Sequence, residues 1–97
     1  MTRRYLSRTD SLQQDIVAVL RQAGAQVWLT HSVGGGFPDT IVCIGGERLY
    51  LLEIKTPHGT LTPQQTMFNA KWPVAIVRSI DEAVTFLERV RGDDLAK

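Results

Sequence analysis

The chain reads as an α/β layer with a mixed central sheet flanked by helices, in the order helix–strand–strand–strand–helix–strand–helix. Three observations predict it. Apolar residues recur at helical spacing in two distant stretches, Leu12, Ile16, Val19, Leu20 and Ala23, then Ala83, Phe86, Leu87 and Val90. Two short apolar runs, residues 40–44 and 49–52, flank a Gly45-Gly46 turn. A further apolar run at 73–77 follows a helix-start signal, which makes it a crossover strand beside a parallel neighbour.

The first helix is expected over 10–23, closed by Gly24. Asp10 stands near its start as an N-cap, or as a spare acid for a site. A strand over 25–31 places Val27 and Leu29 on one face and Trp28 on the other. The loop His31-Ser32-Val33-Gly34-Gly35-Gly36 follows. Its glycines permit close backbone approach, which suits a phosphate or a DNA strand and equally suits a plain connector. His31 and Ser32 precede the acidic strand and can contact a phosphate. His31 is a poor metal ligand, because no nitrogen or sulfur ligand accompanies it. After the hairpin, Thr56-Pro57-His58-Gly59-Thr60 is a turn-rich connector. Thr62 then caps a helix with Pro63 at its first position and Gln65 at its third. Met67, Phe68, Ala70 and Trp72 are expected to cover the sheet, with Trp28 and Trp72 as ordinary core. Ser79 and Glu82 repeat the capping pattern for a last helix running to about Arg91. Gly92 should stop it, leaving residues 93–97 as a tail.

The central hairpin carries the chemistry. Phe37-Pro38-Asp39 leads into its first strand, and its second strand ends in Glu53-Ile54-Lys55. Alternation puts Glu53 and Lys55 on one face. Asp39 joins them only if the loop is odd. A three-residue loop, Gly45-Gly46-Glu47, pairs 44 with 48 and sets Asp39 opposite Glu53, and this is the expected register. Two carboxylates about 4 Å apart repel by roughly 4 kcal/mol at an effective dielectric near 20. Either one holds a proton or a cation lies between them, and a hard divalent ion suits oxygen ligands. The plainer alternative is a surface cluster in which Glu53 pairs with Lys55.

Length and composition bound the rest. The 97 residues, 43% hydrophobic and 22% charged, describe one globular domain over 1–97. Apolar runs are strand-length, so no membrane partner is expected, and the start lacks the apolar stretch of a signal peptide. One cysteine, Cys43, in an apolar strand fits a small core residue in a reducing, cytoplasmic setting. Net charge is only +1, a weak sign for non-specific DNA binding. Arg3, Arg4 and Arg8 nevertheless form a basic N-terminal arm over 1–8, which can follow phosphates or be a solvated tail.

Pro38-Asp39, a hydrophobic hairpin and Glu53-Ile54-Lys55 resemble the PD-(D/E)XK nuclease signature. The flanking Gly36-Phe37-Pro38-Asp39, Thr56-Pro57-His58-Gly59, Leu61-Thr62-Pro63-Gln64-Gln65 and Val77-Arg78-Ser79 narrow the resemblance to the virus-type replication-repair nuclease group (VRR-NUC). That group is similar to Holliday junction resolvases, and the likeness spans residues 9 to 90. It implies a restriction endonuclease-like fold and a magnesium-dependent DNA endonuclease, with manganese as substitute, acting on branched DNA. By the same resemblance Asp39, Glu53 and the Ile54 carbonyl hold the ion, Lys55 serves the attacking water, and Gln65 faces the active site. Gln65 can keep its cap role as well only if its side chain divides its bonds. Gln13 stands where the resolvases carry a metal-binding glutamate, and its carbonyl can ligate directly or through water. DNA contacts fall to Arg3, Arg4, Arg8, His31, Ser32 and Gly35. The helix after Gln65 is shorter than is usual in the group, which exposes sheet and favours a homodimer through that side. The competing class is a nucleic-acid-binding module that kept the fold without catalysis.

Overall fold

The structure, a computed structural model, describes residues 8–46 and 48–95. Its elements are α1 (Arg8–Gln22), β1 (Gln26–Leu29), β2 (Thr40–Cys43), β3 (Leu49–Ile54), α2 (Pro63–Lys71), β4 (Val74–Val77) and α3 (Ile80–Leu95). The predicted order holds throughout. One sheet runs β1-β2-β3-β4, with β1–β2 and β2–β3 antiparallel and β3–β4 parallel.

Helices α1 and α3 pack on the same face of this sheet. Ile16, Val17 and Leu20 from α1 and Ala83, Phe86, Leu87 and Val90 from α3 are buried against Val27, Val42, Leu52, Ile54 and Val77. Each large side chain so buried contributes about 1.5–3 kcal/mol. Leu12 and Ala23 border the cluster, as their helical spacing predicts. Gly24 ends α1 at φ 96°, and the Ala25 N–H donates to the Leu20 carbonyl at 3.0 Å while Gly24 donates to Arg21. This is the paired closure that a left-handed residue allows.

The hairpin register is the one an odd loop requires. Thr40 pairs with Leu52 and Cys43 with Leu49, so 44 faces 48 and Asp39 faces Glu53. Gly45 and Gly46 supply φ angles of 81° and 91°, conformations that other residues reach at a cost. β1 extends the pattern, because the Thr30 N–H donates to the Asp39 carbonyl at 2.8 Å.

Several expectations need correction. α1 begins at Arg8, so Asp10 lies inside its first turn instead of capping it. β1 is Gln26–Leu29 and not 25–31, because its hydrogen bonding ends at Thr30 where the loop turns back. Leu29 shares its face with Val27 but is exposed, since it lies at the sheet's edge strand. α2 contributes no buried residue, and Met67, expected to cover the sheet, is exposed. Trp28 and Trp72 are 48% and 56% exposed, so neither is core. α3 runs through Gly92 to Leu95, so a glycine without a left-handed turn did not stop it, and 93–95 are helical. Arg3 and Arg4 lie outside the described residues, and Arg8 opens α1.

Candidate active site

The site forms where β2 begins and β3 ends. On β3, Leu52 and Ile54 point into the helical core, so Glu53 and Lys55 must point to the opposite face. Asp39, opposite Glu53, joins that face by the register above. The Asp39 carboxylate is oriented by the backbone, its Oδ2 accepting from the Ile54 N–H at 3.1 Å. Thr30 braces the approach, with its hydroxyl donating to the Pro38 carbonyl at 2.8 Å. The Thr40 hydroxyl, fully buried, donates to the Leu52 carbonyl at 3.0 Å and locks the two strands immediately inside the acids.

Glu53 is a buried carboxyl, only 2% exposed. Burial raises its pKa from 4.5 to about 8, helped by a side-chain hydrogen bond with Asp39 and by the Asp39 charge. Lys55 opposes the shift, its Nζ standing 3.9 Å from Glu53 Oε2. The acids therefore do meet, and burial together with the Asp39 carboxylate favours the protonated form of Glu53. Burial of Glu53 argues against a surface cluster, although Glu53 does stand within ion-pair distance of Lys55 as that alternative has it.

Gln65 does divide its bonds. Its Oε1 accepts from the Thr62 N–H at 2.9 Å and its own N–H donates to Thr62 Oγ1 at 3.1 Å, completing the capping box. Its Nε2 donates to Glu53 Oε2 at 3.3 Å. One side chain thus fixes both the start of α2 and the orientation of Glu53.

The remaining candidates fall in different places. His31 and Ser32 are exposed on the loop that leaves β1 beside Asp39, and Gly35 has a left-handed φ of 66° with open space around it. Gln13 is half-buried and lines a small cleft with Val17, Arg21 and Leu29. Among the described hydrogen bonds none joins it to Asp39 or Glu53. Among the described residues no cluster of three or more His, Cys, Asp or Glu side chains could hold a metal ion.

Two residues gain a role that spacing did not reveal. Arg78 Nη1 donates to the Thr56 and Gly59 carbonyls at 2.8 and 2.6 Å, tying down the connector that starts immediately after Lys55. Gly36 packs against the first turn of α2. Both lie within the motifs Val77-Arg78-Ser79 and Gly36-Phe37-Pro38-Asp39, but nothing in a linear sequence says what they touch.

The mixed four-stranded sheet with its flanking helices is a fold that this chain shares with a solved structure. A solved structure described as a VRR_NUC domain superposes with a TM-score of 0.68 at 18% identity, covering 86% of this chain and 97% of that one. No family model and no curated protein matches the sequence.

Proposed function

We propose that this chain is a VRR-NUC nuclease, a divalent-metal-dependent endonuclease that hydrolyses phosphodiester bonds in DNA. The observation that carries this reading is the forced meeting of Asp39 with a buried Glu53, with Lys55 on the same face, on a fold shared with a VRR_NUC domain. Magnesium, or manganese in its place, fits the donors. Hard carboxylate oxygens held together against burial and mutual repulsion are relieved when a dication takes the place of the Glu53 proton. Asp39, Glu53 and the Ile54 carbonyl would hold it. When bound, the ion supplies Lewis-acid activation of water and offsets charge on the scissile phosphate.

The chain's own groups do the rest. The Ile54 N–H keeps Asp39 aimed at the sheet edge, and Gln65 Nε2 fixes one oxygen of Glu53. Lys55 places an ammonium on the reacting face, where it orients the attacking water and stabilises the charge that builds on the phosphate oxygens. His31, Ser32 and the backbone at Gly35 would meet DNA phosphates beside Asp39, with Arg3, Arg4 and Arg8 following the backbone further along. Leu49 and Trp72, exposed and lining one cleft, offer apolar groups suited to a homodimer, which would present two sites to a branched junction or flap. Among the described residues no helix is long and apolar enough to cross a membrane, and a reducing cytoplasmic setting accords with the buried free Cys43.

A non-catalytic nucleic-acid-binding module is the second reading, favoured by a glutamine at position 13 and by the low net charge. Incubating the protein with four-way junction, flap, duplex and single-stranded DNA, with magnesium, manganese or chelator, separates the two. Cutting should need the metal, prefer branched substrates and fall at least about hundredfold in Asp39→Ala, Glu53→Ala and Lys55→Ala. Undiminished cutting by either acid variant would remove the metal assignment.

A further inference from the structure

We propose that Gly36 is a positioning residue of this site, seating the first turn of α2 so that Gln65 reaches Glu53; the inference rests on the nuclease reading for its catalytic consequence alone. Three consecutive glycines, Gly34, Gly35 and Gly36, have φ angles of 78°, 66° and 87°. Their surroundings differ. A Cβ at Gly34 or Gly35 would meet nothing within 4 Å. A Cβ at Gly36 would strike the Gln64 carbonyl oxygen, and would lie 2.5 Å from its carbonyl carbon and 3.0 Å from the Gln65 nitrogen. Left-handed geometry alone would admit an asparagine. The backbone of α2 in that space admits only glycine.

The contact matters because α2 has so little else to hold it. No residue of α2 is buried, and none belongs to the core cluster. Among the described residues its seat includes the Gly36–Gln64 backbone approach, the edge-to-face pair of Phe37 and Phe68 with centroids 5.4 Å apart, and the Gln65–Glu53 hydrogen bond. At 3.3 Å that bond is already near the limit of hydrogen-bond length. Any push at Gln64 is delivered to the next residue in the chain, Gln65, and breaks it. The loop that leaves β1 beside Asp39 therefore also sets the orientation of Glu53.

Substitution along the glycine triplet tests this, because Gly34→Ala imposes the same backbone strain without the collision. Gly36→Ala should lower kcat by about a hundredfold, the cost of a displacement of about 1 Å at a catalytic group, with KM little changed. Gly34→Ala should cut at close to the wild-type rate. In a Gln65→Ala background Gly36→Ala should cause no additional loss, since both act on one interaction. Equal losses at Gly34 and Gly36, or multiplicative losses with Gln65→Ala, would overturn the proposal. If Gly36→Ala fails to fold, Phe68→Ala loosens the same seat from a half-buried position and should show the same non-additivity with Gln65→Ala. If the wild-type protein cuts no DNA, the nuclease reading fails, and the positioning role is then judged by NMR alone. The Gln65 side-chain amide resonances should shift and lose exchange protection in Gly36→Ala but not in Gly34→Ala, and unchanged resonances would refute it.

Discussion

Raising the pH of the metal-free protein from about 5 to about 9 should destabilise it, and Glu53→Gln should remove most of that dependence. Glu53 is the cause, because the fold raises its pKa from 4.5 to about 8, chiefly by burial and then through Asp39. The native state thus binds a proton that the unfolded chain releases near pH 4.5, so stability is fully present below that value and is lost as pH climbs toward 8. Each tenfold difference in proton affinity is worth about 1.4 kcal/mol, which puts the total on the order of a few kcal/mol. For a domain near this size each kcal/mol moves Tm by about 4–8 °C, so the fall should exceed roughly ten degrees. Glutamine keeps the shape of a protonated glutamate and an acceptor for Gln65 Nε2, but cannot ionise. Its variant should melt at a nearly constant temperature across the range and above the wild type at high pH. Magnesium should act in the opposite sense on the wild type alone, adding about 2.7 kcal/mol at a concentration a hundred times its Kd. Melting curves that decline equally in both proteins would show that Glu53 is solvated or already ionised, and the site as described would not stand.

Arg78→Ala should release the connector after Lys55 by removing two hydrogen bonds to the Thr56 and Gly59 carbonyls, at a cost of about 1–3 kcal/mol. Both bonds come from one nitrogen, Nη1, so Arg78→Lys, whose ammonium also carries several donors, should recover much of the loss, and urea melts of the three proteins measure the difference. Leu49→Asp and Trp72→Asp, at exposed positions, should leave monomer stability within about 0.5 kcal/mol of wild type while shifting sedimentation from dimer to monomer. A wild type that sediments as a monomer would end the dimer assignment.

Most of the fold was legible because local rules and packing agreed. Ile16 and Leu20, and Ala83, Phe86, Leu87 and Val90, repeat at helical spacing and are buried as that spacing requires. The hairpin register followed from the Gly45-Gly46 turn, since a three-residue loop leaves Asp39 only one partner. Where expectation failed, a local signal was weighed without its surroundings. Gly92 looked like a stop, but a helix ends at glycine only when the chain turns left-handed there, and α3 continues instead. Trp28 and Trp72 looked like core because they are large and apolar, yet both stay exposed, and α2 buries no residue.

The sequence by itself determined the element order, the parity that puts Glu53 and Lys55 together, and the odd turn that adds Asp39, all consequences of backbone periodicity. Tertiary structure alone decided that Glu53 is buried, that Gln65 serves helix and acid at once, and that Gly36 touches α2. Those facts arise from elements distant in the chain closing on one another, and neither burial nor close approach has a period that can be read along a single strand or helix.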